Sequence, residues 1–408
     1  MKIKKRNKSL FRKLIGWLHL WLGLISGIVV FIVSITGCIY VFQQDIKDAQ
    51  EPWRFVNAQQ QAMAPPSTLL DTANAYVQGL KPTGLTYAGK TGAAAVGYEQ
   101  HENGKESFEV VFMNPYSGRF IKKQSTLEDG DFDFFRFIIE GHRYLWLPQA
   151  IGKKIVDYAT LTFIFLLISG LILWWPKNLK KAEKRKAFFI KWNAKFKRLV
   201  YDLHNVVGFY SLIIALIIVV TGVIVGLTWF KDGVYFVASG GETQEIQFPK
   251  SSPKAKTSSL NTPQKLDVAW NKVINQEKEI PKGMYISPNL SNKTTPILII
   301  SYHDAETFYD RDTYYFDQYT LQRIHTPRDS YQDASFANKL LMLNYDIHIG
   351  SVWGIPGKII AFIISLICAS LPVTGFLYWW NRPKNKKKMM NTSKNSKKKE
   401  KPSLMTTA

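Results

Sequence analysis

Cysteine is nearly missing from this chain. Cys38 and Cys368 are the only two among 408 residues, and both lie inside long apolar runs. A stapling disulfide framework and a four-cysteine iron–sulfur cluster within one chain are therefore excluded. No C-x-x-C-H occurs, so any haem would be held without covalent attachment. There is also no G-x-G-x-x-G after a strand, no P-loop, no H-E-x-x-H and no G-x-S-x-G, so the common nucleotide, zinc-protease and serine-hydrolase signatures are absent. Charge is missing from four blocks, Leu20–Phe42, Ile155–Trp175, Phe209–Phe230 and Ile359–Trp380, in which Asp157 alone is charged. Each block has the length to cross about 30 Å of hydrocarbon as a helix. The expectation is an α-helical membrane protein with four transmembrane helices. The first block is too long for a signal peptide's apolar core and lacks a clear A-x-A site, which predicts a retained anchor.

The charge that is present is concentrated. Residues 1–13, 176–198 and 382–408 carry 7, 10 and 10 Lys and Arg, opposed only by Glu183 and Glu400. These pieces hold a balance of +25 against +22 for the whole chain, which leaves −3 elsewhere. Short basic segments stay on the cytoplasmic side of a membrane, so both termini and the middle loop are expected there, with 43–140 and 231–345 outside. The basic tails are suited to anionic lipid rather than nucleic acid, because they show neither a fold nor the interleaved aromatics that read bases. The organisation expected is a tail with the first span (1–42), an exported module (43–140), the second span with its approach (141–176) and a basic loop (177–198). The third span (199–230), a second exported module (231–345), the fourth span with its approach (346–381) and a basic tail (382–408) complete it.

The blocks are related in pairs. His19, Gly23, Thr36 and Gly37 match His204, Gly208, Thr221 and Gly222 at a constant offset of 185. The segment GHRYLWLPQAIGKKIV ahead of the second span matches IHIGSVWGIPGKII ahead of the fourth. His142 and His348 correspond at an offset of 206, and Gly152/Gly357, Gly170/Gly375 and Trp174/Trp379 at 205. This predicts a tandem duplication of span, exported α+β module, span. In the first module a helix is expected over Ser67–Gln78 with Ser67 as N-cap, then strands Leu85–Tyr87, Ala94–Tyr98 and Phe108–Met113. In the second, a helix over Leu266–Ile274 precedes strands Met284–Ser287, Ile297–Tyr302 and Thr313–Phe316. A turn places Asp317, Tyr319 and Thr320 opposite Asn114, Tyr116 and Ser117, and the Pro/Ser/Lys-rich stretch 249–264 reads as a flexible linker. Asp131–Phe137 reads as an interfacial helix packing its phenylalanines.

Four of the seven histidines fall at span ends. His19 and His204 begin spans that leave the cytoplasm, while His142 and His348 precede spans that return to it. A lone histidine at such a place is ordinarily an interfacial hydrogen-bonding ring. Two pairs at two depths are what two bis-histidine haems require, one neutral imidazole from either side of each iron. Gly23 and Gly208, one turn inside, leave room for a flat macrocycle or a neighbouring helix. Thr36 and Thr221 are expected to bond a carbonyl one turn back, and His101, His303 and His325 to lie on the surface.

The L-H-x-x-x-G openings, the Thr-Gly endings, the histidine-led approaches to spans two and four and the WWPK and WWNRPK endings together resemble the PepSY-associated transmembrane family of bacterial inner-membrane proteins, which includes ferric-siderophore reductases. The resemblance covers essentially the whole chain and is strongest in the spans. It implies PepSY-like exported modules, two non-covalent b-type haems held by His19, His204, His142 and His348, and electron transfer to a periplasmic ferric siderophore or chelate, a haem-dependent ferric reductase. The donor would be quinol or a cytoplasmic flavoprotein. The alternative is a membrane-anchored PepSY binding or inhibitory module without a redox cofactor.

Overall fold

The computed structural model describes residues 10–102, 105–125, 133–176, 180–244, 249–253, 259–277 and 280–381. The basic tail 382–408, most of the basic stretch 1–13, Asp131 and the middle of the linker lie outside them. In chain order the first half forms α1 (Leu10–Tyr40), α2 (Gln43–Gln50), α3 (Pro66–Tyr76), β1 (Pro82–Tyr87), β2 (Ala94–Glu102), β3 (Lys105–Met113), β4 (Phe120–Ser125), α4 (Phe134–Tyr144), α5 (Gln149–Trp174) and α6 (Lys181–Phe188). The second half forms α7 (Phe196–Asp202), α8 (Gly208–Gly226), α9 (Thr228–Ala238), α10 (Thr262–Gln276), β5 (Gly283–Ile286), β6 (Ile297–Tyr302), β7 (Arg311–Phe316), β8 (Arg323–Ile324), α11 (Phe336–Ile349) and α12 (Gly354–Trp380).

Four helical stretches, Leu10–Gln50, Gln149–Trp174, Phe196–Gly226 and Ser351–Trp380, are long and apolar enough to cross a membrane. Their charged residues lie toward their ends and their middles are apolar with the backbone bonded within the helix, so those middles can be immersed in hydrocarbon. They form a ring in which α1 packs on α5 and α12, and α8 closes against both. Val30, Phe163, Leu166, Ala215, Val219, Ile364 and Leu371 fill its middle. Gly27 lets α1 approach Pro372 of α12, since a Cβ there would stand 3.2 Å from the proline ring. The third span ends earlier than its apolar run suggests, because Leu227 takes an extended backbone and α9 starts a new helix.

The segments between the spans, expected as two modules, share one sheet. Among the described residues eight strands form one antiparallel sheet in the order β4-β3-β2-β1-β5-β6-β7-β8. The halves join where β1 pairs with β5, with Leu85 opposite Ile286 and Tyr87 opposite Met284. Apart, each half would leave a strand edge with unpaired N–H and C=O groups. Joined, they also share a core in which Leu69, Ala73, Leu266 and Val273 of α3 and α10 cover Leu85, Val96, Ile286 and Ile299. Each of the Leu, Val and Ile side chains contributes about 1.5–3 kcal/mol on burial. Ser67 does not cap α3. Pro65 holds the N-cap position, and the Ser67 N–H donates across the joint to Asp267 Oδ1 (2.8 Å). The linker likewise ends sooner than expected, because Asn261 and Gln264 make a capping box that starts α10 at Thr262. Ser251 is buried and receives the Gln318 N–H (2.9 Å).

The predicted turn correspondence is seen in the bonds. Asn114 Oδ1 accepts from Tyr116 and Ser117 N–H, and Asp317 Oδ1 accepts from Tyr319 and Thr320 N–H.

Candidate functional site

Each of the four span-end histidines is held by a helix other than its own. His19 of α1 meets α5, where Ser169 Oγ lies 2.8 Å from Nδ1. His204 meets α12, with Thr374 Oγ1 3.0 Å from Nδ1. His142 of α4 meets α1, with the Val33 carbonyl 2.9 Å and Thr36 Oγ1 3.3 Å from Nδ1. His348 of α11 meets α8, with the Ile218 carbonyl and Thr221 Oγ1 both at 3.0 Å.

A glycine follows the hydroxyl residue in every case. Cβ atoms at Gly170, Gly375, Gly37 and Gly222 would stand 3.4, 3.2, 3.2 and 3.2 Å from Cε1 of His19, His204, His142 and His348. The dipeptides Ser169-Gly170, Thr374-Gly375, Thr36-Gly37 and Thr221-Gly222 are thus four copies of one seat, in which the hydroxyl fixes the ring nitrogen and the missing side chain admits the ring edge.

The seats also fix the tautomer. A carbonyl oxygen only accepts, so Nδ1 of His142 and of His348 carries the proton. Ser169 Oγ donates to the Leu166 carbonyl (3.1 Å) and Thr374 Oγ1 to the Ser370 carbonyl (2.9 Å). With their protons spent, both hydroxyls accept from His19 and His204. All four rings are therefore Nδ1–H imidazoles with the Nε2 lone pair available, the arrangement that metal-bound histidines use. Thr36 and Thr221 also bond the carbonyls of Ile32 and Ile217 one turn back, as expected.

The rings are brought together in the two pairs expected. His19 and His204 have ring centres 6.4 Å apart and an interplanar angle of 85°. For His142 and His348 the values are 6.3 Å and 61°. Each pair takes one histidine from each half of the chain. His204 sits in a π-helical stretch, Leu203–Val207, between α7 and α8, a local widening often found at functional positions.

A cavity of about 730 Å³ contains His19 and His204. Gly23, Gly27 and Gly208 line it together with Val30, Leu166 and Leu371, so the glycines one turn inside the histidines do border open space. Arg12, Lys13, Tyr201, Asn205 and Tyr378 line it near the basic ends of the helices. At the other end of the bundle Lys153 pairs with Asp157 (2.5 Å) and Lys358 with Asp45 (2.9 Å). The glycine ahead of each lysine is required, since Cβ atoms at Gly152 and Gly357 would collide with the Tyr144 and Gly350 carbonyls.

His303 and His325 pair with Asp312 and Asp329 in the sheet region and stand apart from these sites. Trp174 stacks on Phe209 at 3.7 Å and donates to the Ala187 carbonyl (3.0 Å), pinning the middle loop. Sequence reasoning missed Ser169 and Thr374. The glycines that follow them are matched in the repeat, and the hydroxyl before each was the signal.

Four apolar helices ringed in this way define a multi-pass membrane protein. The family described as PepSY-associated TM region matches residues 16–382, and the chain belongs to it. No curated protein matches the chain.

Proposed function

We propose that the two histidine pairs are the axial ligands of two b-type haems, and that the protein passes electrons across the bacterial inner membrane to a ferric chelate or siderophore outside. The observation that carries this reading is the ring separation of 6.4 and 6.3 Å with every Nδ1 engaged. Two metal–nitrogen bonds of about 2 Å each, with the radius of each imidazole added, put ring centres roughly 6 Å apart. The residues present therefore fit the group. Bound haem would supply one-electron iron chemistry, which the side chains cannot.

The chain's own residues do the rest. The seats hold each imidazole in one tautomer and one orientation. Gly23 and Gly208 leave room for a planar ring system, and Arg12 and Lys13 offer cations to its carboxylates. The apolar packing of Val30, Phe163, Ala215 and Ile364 keeps water from the path between the pairs. In this reading the basic segments and both termini are cytoplasmic, the sheet is periplasmic and PepSY-like, and the two halves descend from a tandem duplication. Electrons arrive from quinol or a cytoplasmic flavoprotein. Reduction of Fe(III) to Fe(II) weakens its hold by hard oxygen ligands and releases it. The test is a pyridine haemochrome assay on folded protein from haem-replete cells, followed by reoxidation of the reduced protein with ferric chelates. Two haems per chain and chelate-dependent reoxidation are expected. Folded protein without haem would favour an anchored binding module instead.

A further inference from the structure

Arg311 opens β7, and Arg328 lies in the loop that leads from β8 to α11. That loop is pressed against the strand by the Asp312–Ser330 bridge, by Thr313 N–H donating to the Asp329 carbonyl (2.5 Å) and by Tyr331 N–H donating to the Arg311 carbonyl (3.3 Å). Strand alternation puts Arg311 and Tyr315 on the face opposite Tyr314 and Phe316, which enter the core. From the loop, Arg328 Nε reaches Asn338 Oδ1 on α11 (2.8 Å), while Arg311 Nη1 donates to the Phe308 carbonyl (3.1 Å).

Both guanidinium groups are left short of partners. Asp329 is already engaged by Arg323 (3.3 Å) and His325 (3.0 Å). Among the described residues no carboxylate lies within 4 Å of either guanidinium, although the buried Asp346 of α11 acts electrostatically on Arg311 from farther off, and Arg311 Nε and Arg328 Nη2 are buried with no hydrogen-bond partner. Burial lowers the Arg328 pKa from its ordinary value, and Arg311 acts in the same sense against Tyr235 and Tyr315. Buried charged donors in native folds are normally satisfied, and a guanidinium fork matches a carboxylate or phosphate oxygen pair.

We propose that Arg311 and Arg328 form an oxyanion site at the junction of the sheet with α11, taking the carboxylate or phosphate of a soluble anion or of an anionic lipid headgroup. Asn338, which orients Arg328, precedes His348 by ten residues on the same helix, about 15 Å along its axis. An anion held here lies on the same helix as His348, about three turns from it. The site goes beyond the haem reading, and its test involves no electron transfer, so failure of one leaves the other standing.

The full-length protein in zwitterionic nanodiscs is titrated with citrate and, separately, with inorganic phosphate, following thermal unfolding. A second arm uses nanodiscs containing phosphatidylglycerol. Saturable stabilisation that weakens in high salt is expected, with Arg311→Gln and Arg328→Gln each lowering affinity by about 10- to 100-fold. Stabilisation by citrate or phosphate in zwitterionic discs assigns a soluble anion, and stabilisation in the anionic discs alone assigns the headgroup. If the glutamine variants do not fold, phenylglyoxal modification of the wild type decides. The anion that stabilises it, in solution or in the discs, should slow labelling of Arg311 and Arg328 while leaving the exposed Arg119 unchanged. No saturable effect in either arm, equal affinity in the variants, or equal protection of Arg119 overturns the proposal.

Discussion

At Asn114 the first half of the chain turns on an uncharged side chain and closes at Gly118, φ 68°. The second half makes the same turn with Asp317 and closes at Leu321, φ 55°, where a non-glycine costs roughly 1–2 kcal/mol. After the α4 histidine the chain reverses through Leu145 and Trp146, both at φ 56°; after the α11 histidine it reverses through Gly350. His19 lies within an unbroken α-helix and His204 in a π-helical stretch. Turns and helix hydrogen bonding differ between the halves, yet the four histidine seats do not. What the comparison teaches is where the constraint lies: at the seats, not in the elements around them.

The largest effect comes from breaking the pairing across halves. Each pair draws one ring from each half, so under the proposed haem ligation His19→Ala and His204→Ala are expected to remove the same haem, and His142→Ala and His348→Ala the other, with complete loss of that haem's absorbance. Visible spectra and haem quantification of the four folded variants check this. Depletion of different haems by His19→Ala and His204→Ala would show that the rings paired in the structure do not share an iron.

A smaller effect tests whether the four seats are alike. At both ends a carbonyl three residues before the hydroxyl also faces the ring, Leu166 and Leu371 for His19 and His204, Val33 and Ile218 for His142 and His348. Under the proposed haem ligation, Ser169→Ala, Thr374→Val, Thr36→Val and Thr221→Val should therefore each lower haem occupancy by a similar factor of no more than about 10, because the carbonyl remains as an outer-shell partner. Haem quantification and spectroelectrochemical titration of the four variants check this, and a large effect at one end alone would show that the seats are not equivalent.

The smallest effect concerns the turns. Burial works to raise the Asp317 pKa, but N–H donors from Ser252, Thr320 and Tyr319 outweigh it and hold the carboxyl below its ordinary value. A depressed carboxyl stabilises the fold above its unfolded pKa of about 3.9, and that stability is lost as pH falls through the folded value. Asp317→Asn copies the first half, and its unfolding midpoint should decline less than that of wild type on acidification below about pH 4. Parallel declines would refute the assignment.

The spans were legible because crossing hydrocarbon demands a charge-free run of about twenty residues, which a soluble fold seldom sustains. The histidine pairs were legible because the repeat gave each ring a counterpart. The join of β1 to β5 was not. Strand edges pair through main-chain groups, which leave no mark on side-chain pattern, so Leu85 and Ile286 read only as strand residues of separate modules. The start of α10 was obscured for a different reason. The Asn261–Gln264 capping signal stands at the end of a Pro/Ser/Lys-rich run whose composition suggests a loop. Ser169 was overlooked because a hydroxyl inside a span ordinarily satisfies itself on its own helix, and Ser169 does that while also accepting from His19.

α1 bears a histidine toward one end and, seventeen residues on, the threonine of the seat for a histidine at the other; the third span repeats this from His204 to Thr221. Two continuous rods therefore set the separation of the ring pairs, at roughly 25 Å by helical rise. Tilt in a thicker or thinner bilayer alters the depth of both pairs but not the interval between them. If the pairs hold haems as proposed, the gap an electron would cross depends on helix pitch, and neither loop length nor lipid composition has a handle on it.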